Sequence, residues 1–145
     1  MGNINKYPNS LGIGGWAVKG RWGLERYLYT LHRITGLGIL LYFLLHIFVT
    51  SSRVFGSDAW SALVLGILHH WTFQVGEYLV FAAFAFHALN GIRLILIEFG
   101  FIVGKAEEPV YPYRSSINVQ RPASIIVLIL AAIIAVIGGM RYFML

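Results

Sequence analysis

Three apolar runs dominate the chain: Leu31 to Ser51, Phe73 to Ile97 and Ala123 to Tyr142. Each is long enough to cross a hydrocarbon core of roughly 30 Å, which takes about 20 helical residues. Lipid offers the backbone no hydrogen-bond partner, so each run predicts a transmembrane helix. The third follows "RP", which places Pro122 in a first helical turn. Between the first two lies "SRVFGSDAWSALVLGILHHW", whose apolar stretch from Ala59 to Leu68 is too short to span and predicts an interfacial helix on the outer face. The segment "GKAEEPVYPYRSSINVQRP" is polar and broken by proline, and reads as an irregular loop able to dock a soluble partner. Residues 1–30 mix Trp16, Trp22, Tyr27 and Tyr29 with Lys19, Arg21 and Arg26, the composition of a segment lying along a membrane surface. The expected fold class is an all-α membrane protein: one domain, 1–145, with three transmembrane helices (about 31–51, 73–97 and 123–142) behind an N-terminal interfacial segment.

Composition sharpens this picture. Of 145 residues, 58% are hydrophobic and 12% charged, and the mean hydropathy is +0.72, outside the range of a soluble domain. The absence of cysteine excludes a thiolate-held iron–sulfur cluster, a disulfide and a thiol nucleophile, so any metal here needs histidine. A net charge of +5 could suggest nucleic acid, but the basic residues follow topology rather than forming a patch. Lys6, Lys19, Arg21, Arg26 and Arg33 come at or before the start of the first run, and Arg93, Lys105, Arg114 and Arg121 surround the second loop. Only Arg53 and Arg141 fall on the other side. The positive-inside rule then places the N-terminus in the cytoplasm and the C-terminus outside, and nucleic-acid binding is not expected. No signal-peptide pattern is present, and the first helix is expected to act as its own insertion signal. The glycines of "LGIGGWAVKG" lack the Lys-Ser/Thr ending of a phosphate loop.

The second run is spoiled by His87, Asn90, Arg93 and Glu98. On a helix, His87 has Ala83 and Gly91 at i−4 and i+4, a flat surface of the kind a porphyrin plane requires. Small residues beside a polar one equally suit a histidine that hydrogen-bonds across to another helix. Arg93 lies about 9 Å further toward the cytoplasm, where haem propionates would emerge, and where an arginine also snorkels to lipid phosphate. His32 and Arg33 mark the matching end of the first helix. With Thr30, Thr35, Gly36 and Gly38 they form a layer of donors suited to quinone carbonyls or acidic haem edges, or to plain interfacial anchoring.

"HRITG" at 32–36, followed by "H-x3-GIR-x4-EFG" at 87–100, resembles the cytochrome b membrane-anchor subunit of succinate dehydrogenase (succinate:quinone oxidoreductase, complex II). The two motifs, their separation and the three-helix layout cover nearly the whole chain. The resemblance implies half of a heterodimeric haem-binding helix bundle in the plasma (inner) membrane of a prokaryote. Its partners would be a second membrane anchor, an iron–sulfur subunit and a flavoprotein subunit that oxidises succinate. It also implies haem b held by His87, a quinone site at Arg33, and His32, Arg33 and Arg93 near the propionates. The family commonly has serine three residues before the motif histidine. Here Tyr29 stands there with Thr30 beside it, and either hydroxyl is a candidate quinone contact. The family's usual aspartate after "GIR" is replaced by Glu98, read as a cytoplasmic boundary residue.

His46 lies about 20 Å along the first helix from Arg33, whereas His87 is about 9 Å from Arg93, so the two histidines cannot share an iron. Some members of this family carry two haems, and His46 would then ligate the second, shared with the partner chain. Its neighbours Tyr42 and Thr50 suit a porphyrin less well, and the competing reading is a hydrogen bond between helices. His69 and His70 read as interface residues. Glu77 falls inside the outer margin of the second run, where a protonated structural role, a contact to an outer haem environment and headgroup placement are open. Ala131, Ala135 and Gly139 form a small-residue stripe for packing against the bundle or a partner anchor. The alternatives to a succinate:quinone oxidoreductase anchor are a fumarate reductase anchor and a haem-free structural tether.

Overall fold

The computed structural model describes residues 23–103 and 116–144. The expectations for residues 1–22 and for most of the second loop, including Trp16, Lys105 and Arg114, lie outside them. Helix α1 runs Leu24–Ser51 and ends in a 3-10 turn, Ser52–Phe55. The short helix α2, Ser57–Leu63, widens into a π turn at Val64–Leu68. Helices α3, Trp71–Glu98, and α4, Ile117–Met144, complete the set. Among the described residues there is no strand. At 28 residues each, α1, α3 and α4 measure about 42 Å and are long and apolar enough to cross a membrane. The protein is an all-α, multi-pass membrane protein.

The pattern of burial is that of a lipid-solvated bundle. Phe48, Leu37, Ile126 and Ile133 point outward, while Asn90, Arg93 and Ser124 are buried. With apolar solvent outside, bundle cohesion rests on close packing and interhelical hydrogen bonds. α3 is the central element and packs antiparallel on both neighbours. Against α4, Arg93 pairs with Ser124 at one end and Tyr142 with Glu77 at the other. Leu28 of α1, Phe86 of α3 and Ala131 of α4 meet in one cluster, with Leu24, Leu89 and Leu128 around it.

Two boundaries differ from those expected. α1 begins at Leu24, not near Leu31, because Leu24 and Leu28, one turn apart, place an apolar stripe on Phe86 and Ala131. Residues 24–30, expected to lie along the membrane surface, are therefore the first two turns of the transmembrane helix. α4 begins at Ile117, with the Ser116 carbonyl accepting from the Val119 and Gln120 amides. Pro122 consequently lies inside the helix and not in its first turn, and the Asn118 carbonyl loses its i+4 donor. The early start lets Arg121 reach Glu25 on α1, with its Nε 3.1 Å from Oε1.

The connections follow the sequence more closely. α2 and its π turn occupy the expected short apolar stretch, and the Arg53 guanidinium lies 4.3 Å from the Trp60 ring centroid. His70 caps α3: its Nδ1 accepts from the Thr72 amide at 3.4 Å. α3 ends at Glu98, the expected boundary residue, and Gly100 takes φ +80°, which L side chains rarely adopt.

The small-residue stripe of α4 faces α3. The Tyr78 hydroxyl donates to the Ala135 carbonyl at 3.0 Å, and a Cβ on Gly139 would come within 3.0 Å of that side chain. A Cβ on Gly138 would overlap the Phe81 ring. Gly138→Val is expected to destabilise the detergent-solubilised protein by about 1–3 kcal/mol, the usual cost of overpacking. An unchanged thermal midpoint would mean that α4 does not pack against Phe81.

Candidate functional site

His87 sits where α3 crosses α1. Its imidazole stacks on that of His32, with centroids 3.9 Å apart and planes inclined by 4°. His87 Nδ1 lies 3.1 Å from the His32 carbonyl oxygen and 3.3 Å from Thr35 Oγ1. A carbonyl only accepts, so Nδ1 donates, and in the neutral imidazole this tautomer leaves the lone pair on Nε2. The Thr35 hydroxyl is in turn turned back on its own helix, donating to the Leu31 and His32 carbonyls at 2.8 and 3.0 Å. Among the described residues, the hydrogen bonds of the His87 ring run through Nδ1 alone.

Gly36 makes this approach possible: a Cβ there would stand 2.8 Å from His87 Cε1. Gly91 plays the reciprocal part, since a Cβ on it would touch the His32 ring at 3.5 Å. The flat surface read around His87 is thus partly used by α1, which lays His32 over Gly91.

These residues fit a haem iron. A metal-bound histidine ordinarily donates its second ring nitrogen to a carbonyl or carboxylate, which fixes the tautomer and the ring orientation. The His32 carbonyl supplies that partner, and the His32 ring covers a face of the imidazole and not its Nε2 edge.

The expected basic layer is divided. Arg33 is exposed, and its Nη1 donates to the Tyr29 hydroxyl at 3.1 Å, with the guanidinium 5.6 Å from the ring centroid. The two candidate quinone contacts Arg33 and Tyr29 are thus together, with Thr30 beside them at half burial. Arg93 turns the other way. It is 5% exposed, its Nε donates to Asn90 Oδ1 at 3.0 Å and its Nη1 to Ser124 Oγ at 3.1 Å, inside the α3–α4 seam. Six residues separate His87 from Arg93, which rotates the two side chains about 120° apart on the helix. Neither Ser124 nor Asn90 carried a role in the sequence reading. A lone serine early in the third apolar run and an asparagine one turn from His87 were the available signals.

His46 belongs to a separate site, ten residues beyond Gly36 on α1 and so about 15 Å from the level of His87. It is exposed on the bundle surface and stacks on Tyr42, centroids 5.7 Å apart. The two side chains line an open, largely apolar cavity of about 330 Å³ between α1 and α3, with Gly38, Gly76, Glu77 and Val80 on its walls. Glu77 is held by the Tyr142 hydroxyl, which donates to Oε2 at 2.7 Å.

Gly36→Ala is expected to push the His87 ring away from the His32 carbonyl. Losing the partner of a metal-bound histidine costs about 10- to 100-fold in affinity, so haem occupancy per purified chain should fall. Gly66→Ala, where an added Cβ meets nothing within 4 Å, is the control. Equal occupancy in both variants would mean that the α1–α3 approach does not position the ring.

Comparison with known proteins adds two findings. The profile of the family described as "Succinate dehydrogenase/Fumarate reductase transmembrane subunit" matches residues 17–138. The chain is also similar to the succinate dehydrogenase hydrophobic membrane anchor subunit of Halobacterium salinarum, 29% identical over 84 residues, or 56% of this chain. The match spans 65% of that relative's length.

Proposed function

Because the chain belongs to the succinate dehydrogenase/fumarate reductase transmembrane subunit family, we propose that it is the cytochrome b anchor of a succinate:quinone oxidoreductase. It holds haem b through His87 and helps to form the quinone site at Arg33. The observation that carries this reading is the Nδ1 contact to the His32 carbonyl, which prepares Nε2 as a ligand. Bound there, haem b supplies a one-electron relay. The chain's own residues do the rest. His32 and Gly36 orient the imidazole, the helices exclude water, and Arg33 with the Tyr29 hydroxyl offers hydrogen-bond donors to a quinone carbonyl, with Thr30 as the neighbouring hydroxyl.

A bis-histidine iron needs a donor from a second membrane chain, so the functional unit is a heterodimer of anchors carrying an iron–sulfur and a flavoprotein subunit. His46, in its own cavity, is the ligand this chain offers to a second haem. The complex resides in the plasma membrane of a prokaryote with the N-terminus of this chain in the cytoplasm, following the distribution of arginine and lysine.

The competing reading is a haem-free tether, favoured by the close packing of His87 against His32 and Gly36. A dithionite-reduced minus oxidised absorbance spectrum of the complex, purified through a tag on this chain, separates them. A b-type band supports the cytochrome. Its absence from an intact complex leaves the tether.

A further inference from the structure

The buried arginine of the α3–α4 seam has no role in the reading above. Among the described residues, its hydrogen-bond partners are both neutral: Asn90 and Ser124, each 0% exposed. Glu25, an acid of α1 at the same end of the bundle, is engaged by Arg121 at 3.1 Å. The Glu25, Arg121 and Arg93 group therefore carries one positive charge in excess, and Arg93 is the member withdrawn from the surface. An intramembrane charge is costly and ordinarily has a task.

The clamp is built to keep this charge in place. Asn90 Oδ1 takes Nε, Ser124 Oγ takes Nη1, and the Ser124 hydroxyl anchors itself on the Gln120 carbonyl at 3.2 Å. Were the guanidinium to swing out to bind a carboxylate at the membrane face, Asn90, whose amide nitrogen already lacks an acceptor, would be left with no side-chain partner among the described residues, and Ser124 would keep only its bond to Gln120. The group is anchored, at an axial distance of about 9 Å from His87 along the same helix.

We propose that Asn90 and Ser124 are positioning residues that hold Arg93 as a fixed buried cation, and that this cation raises the reduction potential of the haem gripped by His87. The proposal rests on the haem reading of the preceding section. Reduction adds one electron, and a positive charge fixed in a medium of low dielectric favours the state with the extra negative charge. A salt-screened arginine at the surface would do this far less well.

The test is a redox titration of the haem in the purified complex, followed by absorbance, with haem per chain and thermal midpoint measured alongside. Arg93→Gln is expected to retain haem and lower the midpoint potential. Arg93→Lys, which restores the charge, is expected to return it toward the wild-type value. An unchanged potential in Arg93→Gln overturns the proposal. Loss of haem from an otherwise stable Arg93→Gln complex overturns it too, because the guanidinium would then be holding the cofactor directly. Should Arg93→Gln fail to assemble, Ser124→Ala decides: it frees Nη1 without removing the charge, and a potential equal to wild type overturns the clamp. A wild-type complex without haem fails the parent reading instead, a result distinct from all of these.

Discussion

Replacing His87 with alanine is expected to abolish the b-type absorbance band of the haem proposed at this histidine while leaving the complex assembled. Alanine keeps the helix, since it has the best intrinsic propensity, and the vacated space lies beside Gly36, where α1 is already close. What disappears is a ring nitrogen whose opposite edge is fixed by a carbonyl, at a level where no other such imidazole is found among the described residues. His46→Ala gives the complementary outcome. It leaves the first signal intact and, where two haems are present, removes the second, because the two imidazoles sit about 15 Å apart along α1. Haem counted per chain in each variant checks both. A full complement of haem in His87→Ala would refute the assignment of this histidine.

The second large effect is on stability. Ser124→Leu is expected to destabilise the complex by about 3 kcal/mol or more. It removes a hydrogen bond to a charged donor, worth about 1.5–3 kcal/mol, and forces a larger side chain into a position with no exposed surface, at about 1–3 kcal/mol. Ser124→Ala is expected to lose only the first part. Thermal unfolding of the two variants in detergent reads the difference. Equal midpoints for wild type and Ser124→Leu would show that the Arg93 contact contributes nothing to holding α3 on α4.

Much of the architecture was legible without coordinates. Three spans, a short helix ahead of the second, and a helix end at Glu98 all follow from hydropathy, length and the position of charge. Helix starts were less legible. Leu24 and Leu28 extend α1 through a stretch whose tyrosines and arginines resemble a surface segment, because their burial depends on Phe86 and Ala131 from two other helices. Pro122 invited the first-turn reading, yet Ser116 opens the helix earlier and the proline is tolerated at the cost of one backbone bond.

The site divides in the same way. The amino-acid sequence by itself determined that histidines and arginines would lie within apolar helices, at which level along each, and that His46 and His87 could not meet, because rise per residue depends on no neighbour. Which direction each side chain faces was decided by tertiary packing alone. Contact between α1 and α3 put the His32 carbonyl on His87 and left no unstrained room for a Cβ at Gly36, while Ser124, far away in sequence, drew Arg93 into the other seam. Helical periodicity places residues along an axis, but only the neighbouring helix supplies the acceptor that a buried donor must find.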